Sequence, residues 1–160
     1  MTADQYVLNV VAKYSVQTGP NSPAGRAGAA FAPILQSWAG QYLNKVVYSG
    51  SYAKGTAVSS GTDVDLFISL LANTPGTLKE LYYNLQSYII GRGFNPELRN
   101  VSMRVVYSGI EIDLVPGRMQ SPYATNHSLY KRRGDTWIQT NIDKHISVVV
   151  NSQRTVEIKV

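Results

Sequence analysis

Residues 62–70, Thr-Asp-Val-Asp-Leu-Phe-Ile-Ser-Leu, decide both the fold and the chemistry of this sequence. The alternation along this stretch predicts a half-buried β-strand that has Val64 and Leu66 on its inner face. Asp63 and Asp65 then leave the opposite face, close to each other. Because two such carboxylates repel each other unless a cation lies between them, the strand is a candidate site for a divalent metal ion.

A third aspartate occupies a comparable position further along the chain. Residues 110–115, Ile-Glu-Ile-Asp-Leu-Val, predict a second strand in which Asp113 points away from Ile112 and Leu114. If the two strands lie side by side in one sheet, the three carboxylates converge, which is the arrangement that a two-metal phosphoryl-transfer site needs. An Asp-x-Asp pair alone is weak evidence, since solvent-facing acids are common on strands.

A glycine-containing segment precedes the first acidic strand. Residues 49–56 read Ser-Gly-Ser-Tyr-Ala-Lys-Gly-Thr. Gly50 permits close backbone approach to a phosphate, and Ser51 offers a hydroxyl and an N–H. Lys54 is a candidate phosphate contact, although an exposed loop lysine is the favoured alternative. The segment is not a Walker loop, because the Gly-Lys-Ser/Thr ending is missing.

Residues 49–56, 62–66 and 111–116 (Glu-Ile-Asp-Leu-Val-Pro), in this order, resemble the motif set of the polymerase-β-like nucleotidyltransferase superfamily. The branch most similar to this chain contains archaeal-type CCA-adding enzymes, 2′-5′-oligoadenylate synthases and bacterial cGAS-like cyclic-oligonucleotide synthases. Residues 137–141 (Trp-Ile-Gln-Thr-Asn) also resemble that branch. The resemblance spans roughly residues 45 to 145.

The resemblance implies a two-metal transfer reaction. Asp63 and Asp65 would bind two Mg²⁺ (or Mn²⁺) ions, and Asp113 only the ion that activates the attacking hydroxyl. Gly50 and Ser51 would hold the β- and γ-phosphates of a nucleoside triphosphate, with ATP as the expected substrate. A nucleoside monophosphate would pass to a hydroxyl acceptor, and pyrophosphate would be released.

The resemblance also implies that residues 1–160 are a catalytic domain without the C-terminal helical domain of larger members. RNA 3′ ends, a second nucleotide and a protein side chain all stay open as acceptors. A function of another class is a nucleotide- or RNA-binding module, or an incomplete catalytic fragment, without turnover.

Hydrophobic periodicity predicts an α/β fold. We expect a mixed, mostly antiparallel sheet of about four or five strands, with helices packed on one side and the carboxylates on the other. The segment 143–160 is ambiguous, since its valines favour a strand whereas its apolar spacing fits a helix, and we predict a helix. The other predicted helices are residues 2–16, 22–44 (bent or restarted at Pro33) and 77–90, and the strand candidates are 45–50, 62–70, 101–107, 110–115, 126–131 and 136–140.

Composition limits the class of protein. The 160 residues fit one domain, and 44% hydrophobic against 16% charged residues excludes intrinsic disorder. The chain has no cysteine, which excludes a disulfide framework, a thiolate zinc site and a cysteine nucleophile. We see no signal peptide and no apolar run long enough to span a membrane, so we expect a soluble cytoplasmic protein.

The C-terminal third is basic. From Gly117 onward there are seven Lys or Arg residues against three acids, and the whole chain has a net charge of +5. The run Lys131, Arg132 and Arg133 is a weak candidate for binding the phosphates of an acceptor polynucleotide, and a solvated basic loop is the alternative.

Other chemistry-bearing side chains give weaker signals. Tyr123, Tyr130 and Trp137 are unranked candidates for stacking on the nucleotide base. His127 and His145 lack a third metal ligand at a suitable spacing, and we expect them at the surface or capping a helix.

Overall fold

A single sheet and two helices make up the described part of the chain. The computed structural model describes residues 23–49, 64–141 and 147–151. These residues form helices α1 (Pro23–Ala39) and α2 (Leu78–Gly91), a 3₁₀ turn (Gly40–Tyr42) and eight strands. The strands are β1 (Leu43–Ser49), β2 (Val64–Leu70), β3 (Glu97–Leu98), β4 (Met103–Tyr107), β5 (Ile110–Met119), β6 (Asn126–Lys131), β7 (Thr136–Asn141) and β8 (Ser147–Asn151).

The eight strands belong to one mixed sheet with the order β3-β4-β5-β2-β1-β8. Strand β6 pairs with the second half of β5, beyond the end of β4, and β7 pairs with β6. Strands β2 and β5 are parallel, and every other described pair is antiparallel. The predicted α/β fold with a mostly antiparallel sheet is confirmed. The described sheet has eight strands and not the four or five expected, because all six strand candidates belong to it and β3 and β8 lie where no strand was predicted.

Helix α2 begins where its capping box predicts and buries the apolar face that its sequence predicts. The Thr77 hydroxyl accepts from the backbone N–H of Glu80 at 3.0 Å, and Oε1 of Glu80 accepts from the backbone N–H of Thr77 at 2.7 Å. This capping box satisfies two N–H groups at the helix N-terminus. Leu81, Leu85 and Ile89 form its buried stripe.

Helix α1 runs through Pro33 without restarting. Pro33 lies inside the helix and is exposed to solvent. The α-helix ends at Ala39, earlier than the predicted residue 44, because Gly40 takes a left-handed conformation with φ of +57°. No helix in the described ranges is both long and apolar enough to cross a membrane.

Strand β8 shows that the predicted helix over residues 143–160 is wrong where the structure describes it. Ser147–Asn151 pair antiparallel with β1, and Val46 is the partner of Val150. Three consecutive valines (148–150) favour extended backbone, and the edge of β1 supplies a ladder of hydrogen-bonding groups for them. The predicted helix over residues 2–16 lies outside the described residues.

The two faces of the sheet are covered differently. Both helices pack on one face, where Leu66 of β2 shares a core with Phe31 of α1 and Leu85 of α2. The opposite face carries a smaller buried cluster of three residues, Val47, Phe67 and Leu129, against which Val101 and Val115 pack.

A tyrosine–aspartate hydrogen bond holds the turn between β6 and β7. The Tyr130 hydroxyl donates to Oδ1 of Asp135 at 2.5 Å, and Nζ of Lys79 lies 3.7 Å from the same oxygen. The hydrogen bond to this carboxylate, followed by burial, raises the pKa of Tyr130 to about 12. The same bond, followed by the Lys79 charge, lowers the pKa of Asp135.

The shifted pKa values define the pH range over which this bond stabilises the fold. The folded pKa of Asp135 is lowered and that of Tyr130 is raised, so the contribution is fully present between the usual values of 3.8 and 10.0. It is lost as the pH falls through the lowered pKa of Asp135 or rises through about 12.

Replacing Gly117 with alanine should destabilise the fold, because a Cβ there would lie 2.5 Å from Cζ of Phe67 and 2.6 Å from Cδ2 of Leu129. We expect Gly117→Ala to lower the free energy of unfolding by about 1–3 kcal/mol in urea denaturation. Gly91→Ala is the matched control, because a Cβ there meets nothing within 4 Å, and it should be neutral or slightly stabilising. Equal stability of the two variants would contradict the packing described here.

The Asp135→Asn variant should return the pKa of Tyr130 from about 12 towards 10.0, because the carboxylate that holds the phenol proton is removed. Tyrosine ¹³Cζ shifts followed by NMR during a pH titration measure this pKa. Lys79→Met is the control and should leave the Tyr130 pKa near about 12, since Lys79 contacts only the aspartate of the pair. A Tyr130 pKa that is unchanged in Asp135→Asn would refute the assigned cause.

Candidate active site

Four polar residues form a row across the middle of the sheet. Asp65 of β2 is the direct register partner of Asp113 of the parallel strand β5. Arg104 of β4 is paired with Asp113 on its other side, and Ser49 of β1 is paired with Asp65. The row therefore reads Arg104, Asp113, Asp65, Ser49 across four neighbouring strands.

The row lies on the sheet face opposite the helices. Val64 and Leu66 flank Asp65 and are buried in the helix-side core, as are Ile112 and Leu114 on either side of Asp113. Because neighbouring strand residues point to opposite faces, the two carboxylates project from the other side. The predicted placement of helices on one face and carboxylates on the other is confirmed for these two aspartates.

Apolar side chains lie next to the carboxylates on the same face. Phe67 follows Asp65 by two residues, and its register partner Val115 follows Asp113 by two residues. Phe67 belongs to the small buried cluster, and Val115 packs against that cluster. Only 14% of the Asp113 side chain is exposed, so its charge is less screened by water than that of a surface carboxylate.

Arg104 belongs to the row but was not among the predicted site residues. Its Nε donates to Oδ1 of Asp113 at 2.8 Å and its Nη2 donates to Oδ2 at 2.9 Å, so both carboxylate oxygens are engaged. A signal for this contact was present in the sequence. The two-residue turn at Ser108-Gly109 pairs Tyr107 with Ile110, and counting back along both strands brings Arg104 opposite Asp113.

The carboxylate pair has the donor chemistry of a magnesium site. Hard divalent cations prefer carboxylate oxygens and keep open positions for water and phosphate. Among the residues that the structure describes, no group of three or more carboxylate, imidazole or thiol side chains could hold a metal ion. The described part of the site thus contributes two of the three predicted ligands.

Several predicted site residues fall on the segment 50–63, which connects Ser49 at the end of β1 to Val64 at the start of β2. Both ends of this segment therefore attach at the row of polar residues. Four predicted site residues of this segment lie outside the described ranges: Gly50, Ser51, Lys54 and Asp63. His145, for which a surface or capping position was predicted, also lies outside them.

Two residues of the predicted basic run, Arg132 and Arg133, are held by hydrogen bonds at the β6–β7 turn. The backbone N–H groups of Arg132 and Arg133 donate to the carbonyl and the side-chain oxygen of Asn100, and Nη1 of Arg132 donates to the Arg99 carbonyl. The Arg132 guanidinium also donates a hydrogen bond to the Tyr83 hydroxyl of helix α2, and this bond raises the pKa of Arg132. Arg132 thus faces the helix side of the sheet. The cleft there measures about 400 Å³ and is lined by Leu98, Arg99, Asn100, Arg132 and Arg133.

Burial separates the three aromatic candidates for base stacking. Tyr130 is 7% exposed and its hydroxyl is bonded to Asp135, so its ring faces cannot stack on a base. Tyr123 remains a candidate, with 97% of its surface exposed. Trp137 is 53% exposed, but it is the register partner of Tyr130 and therefore lies on the helix side of the sheet, away from the carboxylates. Tyr123 lies in the loop between β5 and β6, which follows the C-terminal end of β5. Asp113 lies in the first half of that strand.

His127 is buried, which corrects the expected surface or capping position. Its Nδ1 lies 2.9 Å from the Thr125 carbonyl and its Nε2 lies 2.6 Å from Oγ of Ser69. Because a carbonyl only accepts, this network assigns the proton to Nδ1 and makes Nε2 the acceptor of the Ser69 hydroxyl. Ser69 in turn accepts from Nδ2 of Asn44 at 3.0 Å, and the ring packs edge-on against Phe67.

Comparison with known proteins was made at the level of sequence and of structure. No protein-family model matches the sequence, and a search of curated proteins finds no match. In contrast, 36 chains of solved structures match the fold.

Three bacterial proteins among these structures show the extent of the similarity. The cyclic dinucleotide synthase CdnE of Elizabethkingia meningoseptica, solved with GTP and Apcpp, has a TM-score of 0.59 at 16% identity and covers 85% of this chain and 55% of its own. The CD-NTase CdnG of Bradyrhizobium diazoefficiens, in complex with GTP, has a TM-score of 0.60 at 16% identity, with 88% and 42% covered. CdnC of E. coli MS115-1 with ATP has a TM-score of 0.52 at 21% identity, with 73% and 41% covered.

These similarities are distant in sequence but extend over most of the chain. The chain spans 41% to 55% of the length of the three matched structures. CD-NTases are polymerase-β-like nucleotidyltransferases, so the resemblance inferred from the aspartate motifs is confirmed at the level of the fold. The chain has the nucleotidyltransferase fold.

Proposed function

We propose that the chain is a metal-dependent nucleotidyltransferase that moves a nucleoside monophosphate from a nucleoside triphosphate to a hydroxyl group. The observation that carries this proposal is the pairing of Asp65 with Asp113 on adjacent parallel strands, on the face opposite the helices. Two carboxylates at neighbouring positions on one open face suit the binding of hard divalent cations.

Each residue of the site has a proposed role. Asp63 and Asp65 would hold Mg²⁺ or Mn²⁺, and Asp113 would hold the ion next to the attacking hydroxyl. When bound, such ions stabilise negative charge on the attacking and leaving oxygens of an in-line displacement. The residues of this chain would align the α-phosphate with the hydroxyl, and Asp113 would help to remove the hydroxyl proton.

The segment 50–63 is the proposed phosphate-binding element. Gly50 and Ser51 directly follow Ser49, which is paired with Asp65 across β1 and β2. A triphosphate bound by their backbone N–H groups would therefore enter beside the carboxylates. Lys54 is the proposed charged contact to the same phosphates.

The solved neighbours support a choice of nucleotide and of acceptor. The neighbours are described with GTP, Apcpp or ATP, and one is described as a cyclic dinucleotide synthase. We therefore propose a purine nucleoside triphosphate as donor and the hydroxyl of a second nucleotide as acceptor. For a polynucleotide acceptor, the proposed phosphate contacts are Lys131, Arg132 and Arg133, which would bind without base specificity.

A nucleotide-binding module without turnover is the second candidate. One observation favours it: Arg104 engages both oxygens of Asp113, the carboxylate proposed to act on the attacking hydroxyl. A site in which Asp113 stays bound to Arg104 would bind a triphosphate without transferring it.

The carboxylates should be required for binding of Mg-ATP. We expect Asp65→Asn and Asp113→Asn each to weaken Mg-ATP binding at least about tenfold in calorimetry, since even supporting partners of metal ligands change affinity by roughly 10–100-fold. Asp135→Asn is the control, because it removes one acid from the β6–β7 turn, away from the row. Unchanged Mg-ATP binding in Asp65→Asn would overturn the site assignment.

Turnover separates the enzyme from the binding module. We expect the wild-type chain with Mg-ATP and a nucleotide acceptor to release pyrophosphate, and Asp113→Asn to reduce the rate at least about 100-fold, the scale of a lost general base. Labelled ATP, with products separated by chromatography, measures both transfer and release. ATP binding with neither product would favour the module.

A further inference from the structure

Arg104 makes a two-point contact with the carboxylate that would receive the metal. Its Nε and Nη2 reach the two oxygens of Asp113 at 2.8 Å and 2.9 Å. The exposed fractions of the two side chains are only 15% and 14%. A bidentate arginine–carboxylate contact is strong and directional, and at this burial it is screened much less than a surface ion pair.

This contact competes with the role of Asp113 as a metal ligand. A divalent cation and the guanidinium group both need the negative charge of the same two oxygens. Two positive groups that share one carboxylate also repel each other, and this repulsion is large where water is partly excluded. Binding of a cation by Asp65 and Asp113 is therefore favoured when the guanidinium withdraws from at least one oxygen of Asp113.

Glu111 offers Arg104 a second partner on the same face. Glu111 precedes Asp113 by two residues on β5, so both side chains leave the same side of the sheet. Its Oε1 lies 3.3 Å from Nη1 of Arg104, and its side chain is 47% exposed and so has room to move. Because a guanidinium group carries five N–H donors, Arg104 can keep Glu111 through Nη1 when Nε or Nη2 releases an oxygen of Asp113.

We propose that Arg104 is a displaceable counter-ion of the metal site, which neutralises and orients Asp113 in the metal-free chain and shifts onto Glu111 when a divalent cation binds. The inference rests on the proposed function, because it takes Asp113 to be a ligand. Arg104 and Glu111 are positioning residues: they act on the metal through Asp113 and set how readily the cation enters.

The test measures binding of Mn²⁺ alone, without nucleotide, by electron paramagnetic resonance. The variants are Arg104→Met, Glu111→Gln and the double variant of both, with Arg92→Met as a control that removes a positive charge stacked on Tyr88 at the end of α2. Asp65→Asn identifies the part of the signal that belongs to the site. Thermal unfolding of each metal-free variant shows that it is folded.

Arg104→Met should bind Mn²⁺ about tenfold more tightly than the wild-type chain, the effect expected when a unit charge about 6 Å from a divalent ion is removed in a water-like medium. Glu111→Gln should bind more weakly, by roughly threefold, because the change removes the charge that draws Arg104 away from Asp113. In the Arg104→Met background the Glu111→Gln change should lose most of its effect, since Glu111 acts through Arg104. Arg92→Met should bind as the wild-type chain does.

The outcomes separate the inference from the proposed function. If the wild-type chain binds Mn²⁺ in an Asp65-dependent way but Arg104→Met binds no more tightly, the counter-ion role is overturned and the metal site stands. Weaker binding in Arg104→Met would mean that Arg104 only fixes the geometry of Asp113. If neither the wild-type chain nor Arg104→Met binds Mn²⁺ through Asp65, the proposed function fails and the inference with it.

Discussion

Electrostatic repulsion between Asp65 and Asp113, held side by side by the parallel pairing of β2 and β5, is the constraint on which the rest of the site depends. The strands cannot relieve this repulsion by turning, because Leu66 and Leu114 on their other faces are fixed in the helix-side core. A slip by one residue would bury both acids and expose both leucines. The pair must therefore be compensated by positive charge on its own face.

The surrounding structure supplies that compensation and shapes the site. Arg104 completes the row on one side and engages Asp113, while Ser49 ends the row on the other side, where the segment 50–63 begins. The buried cluster around Phe67 lies on the same face and reduces the screening of the carboxylate charges by water. The same features that make two adjacent acids costly in the metal-free chain make them strong ligands for a divalent cation.

Short-range patterns in the sequence predicted the parts of the structure that local chemistry determines. Alternation placed Asp65 and Asp113 opposite the core, and the Thr77 capping box placed the start of α2. The pairing of Arg104 with Asp113 follows from the Ser108-Gly109 turn by counting, but on these two strands only Asp113 was predicted as a site residue.

Long-range pairing explains the errors. The three valines of β8 take their conformation from the edge of β1, and His127 is buried because β6 carries it against Ser69 of β2. Neither partner is near in sequence, so no local pattern reports either contact. The propensity of the valines favoured a strand and their apolar spacing a helix, and the pairing with β1 decides between the two. A crystal structure of the chain soaked with Mn²⁺, measured at an X-ray energy where manganese scatters anomalously, tests most directly whether the two carboxylates share a cation. We expect an anomalous peak about 2.2 Å from carboxylate oxygens of both Asp65 and Asp113. Density that shows Asp113 turned to solvent, or no peak between the two side chains, would contradict it.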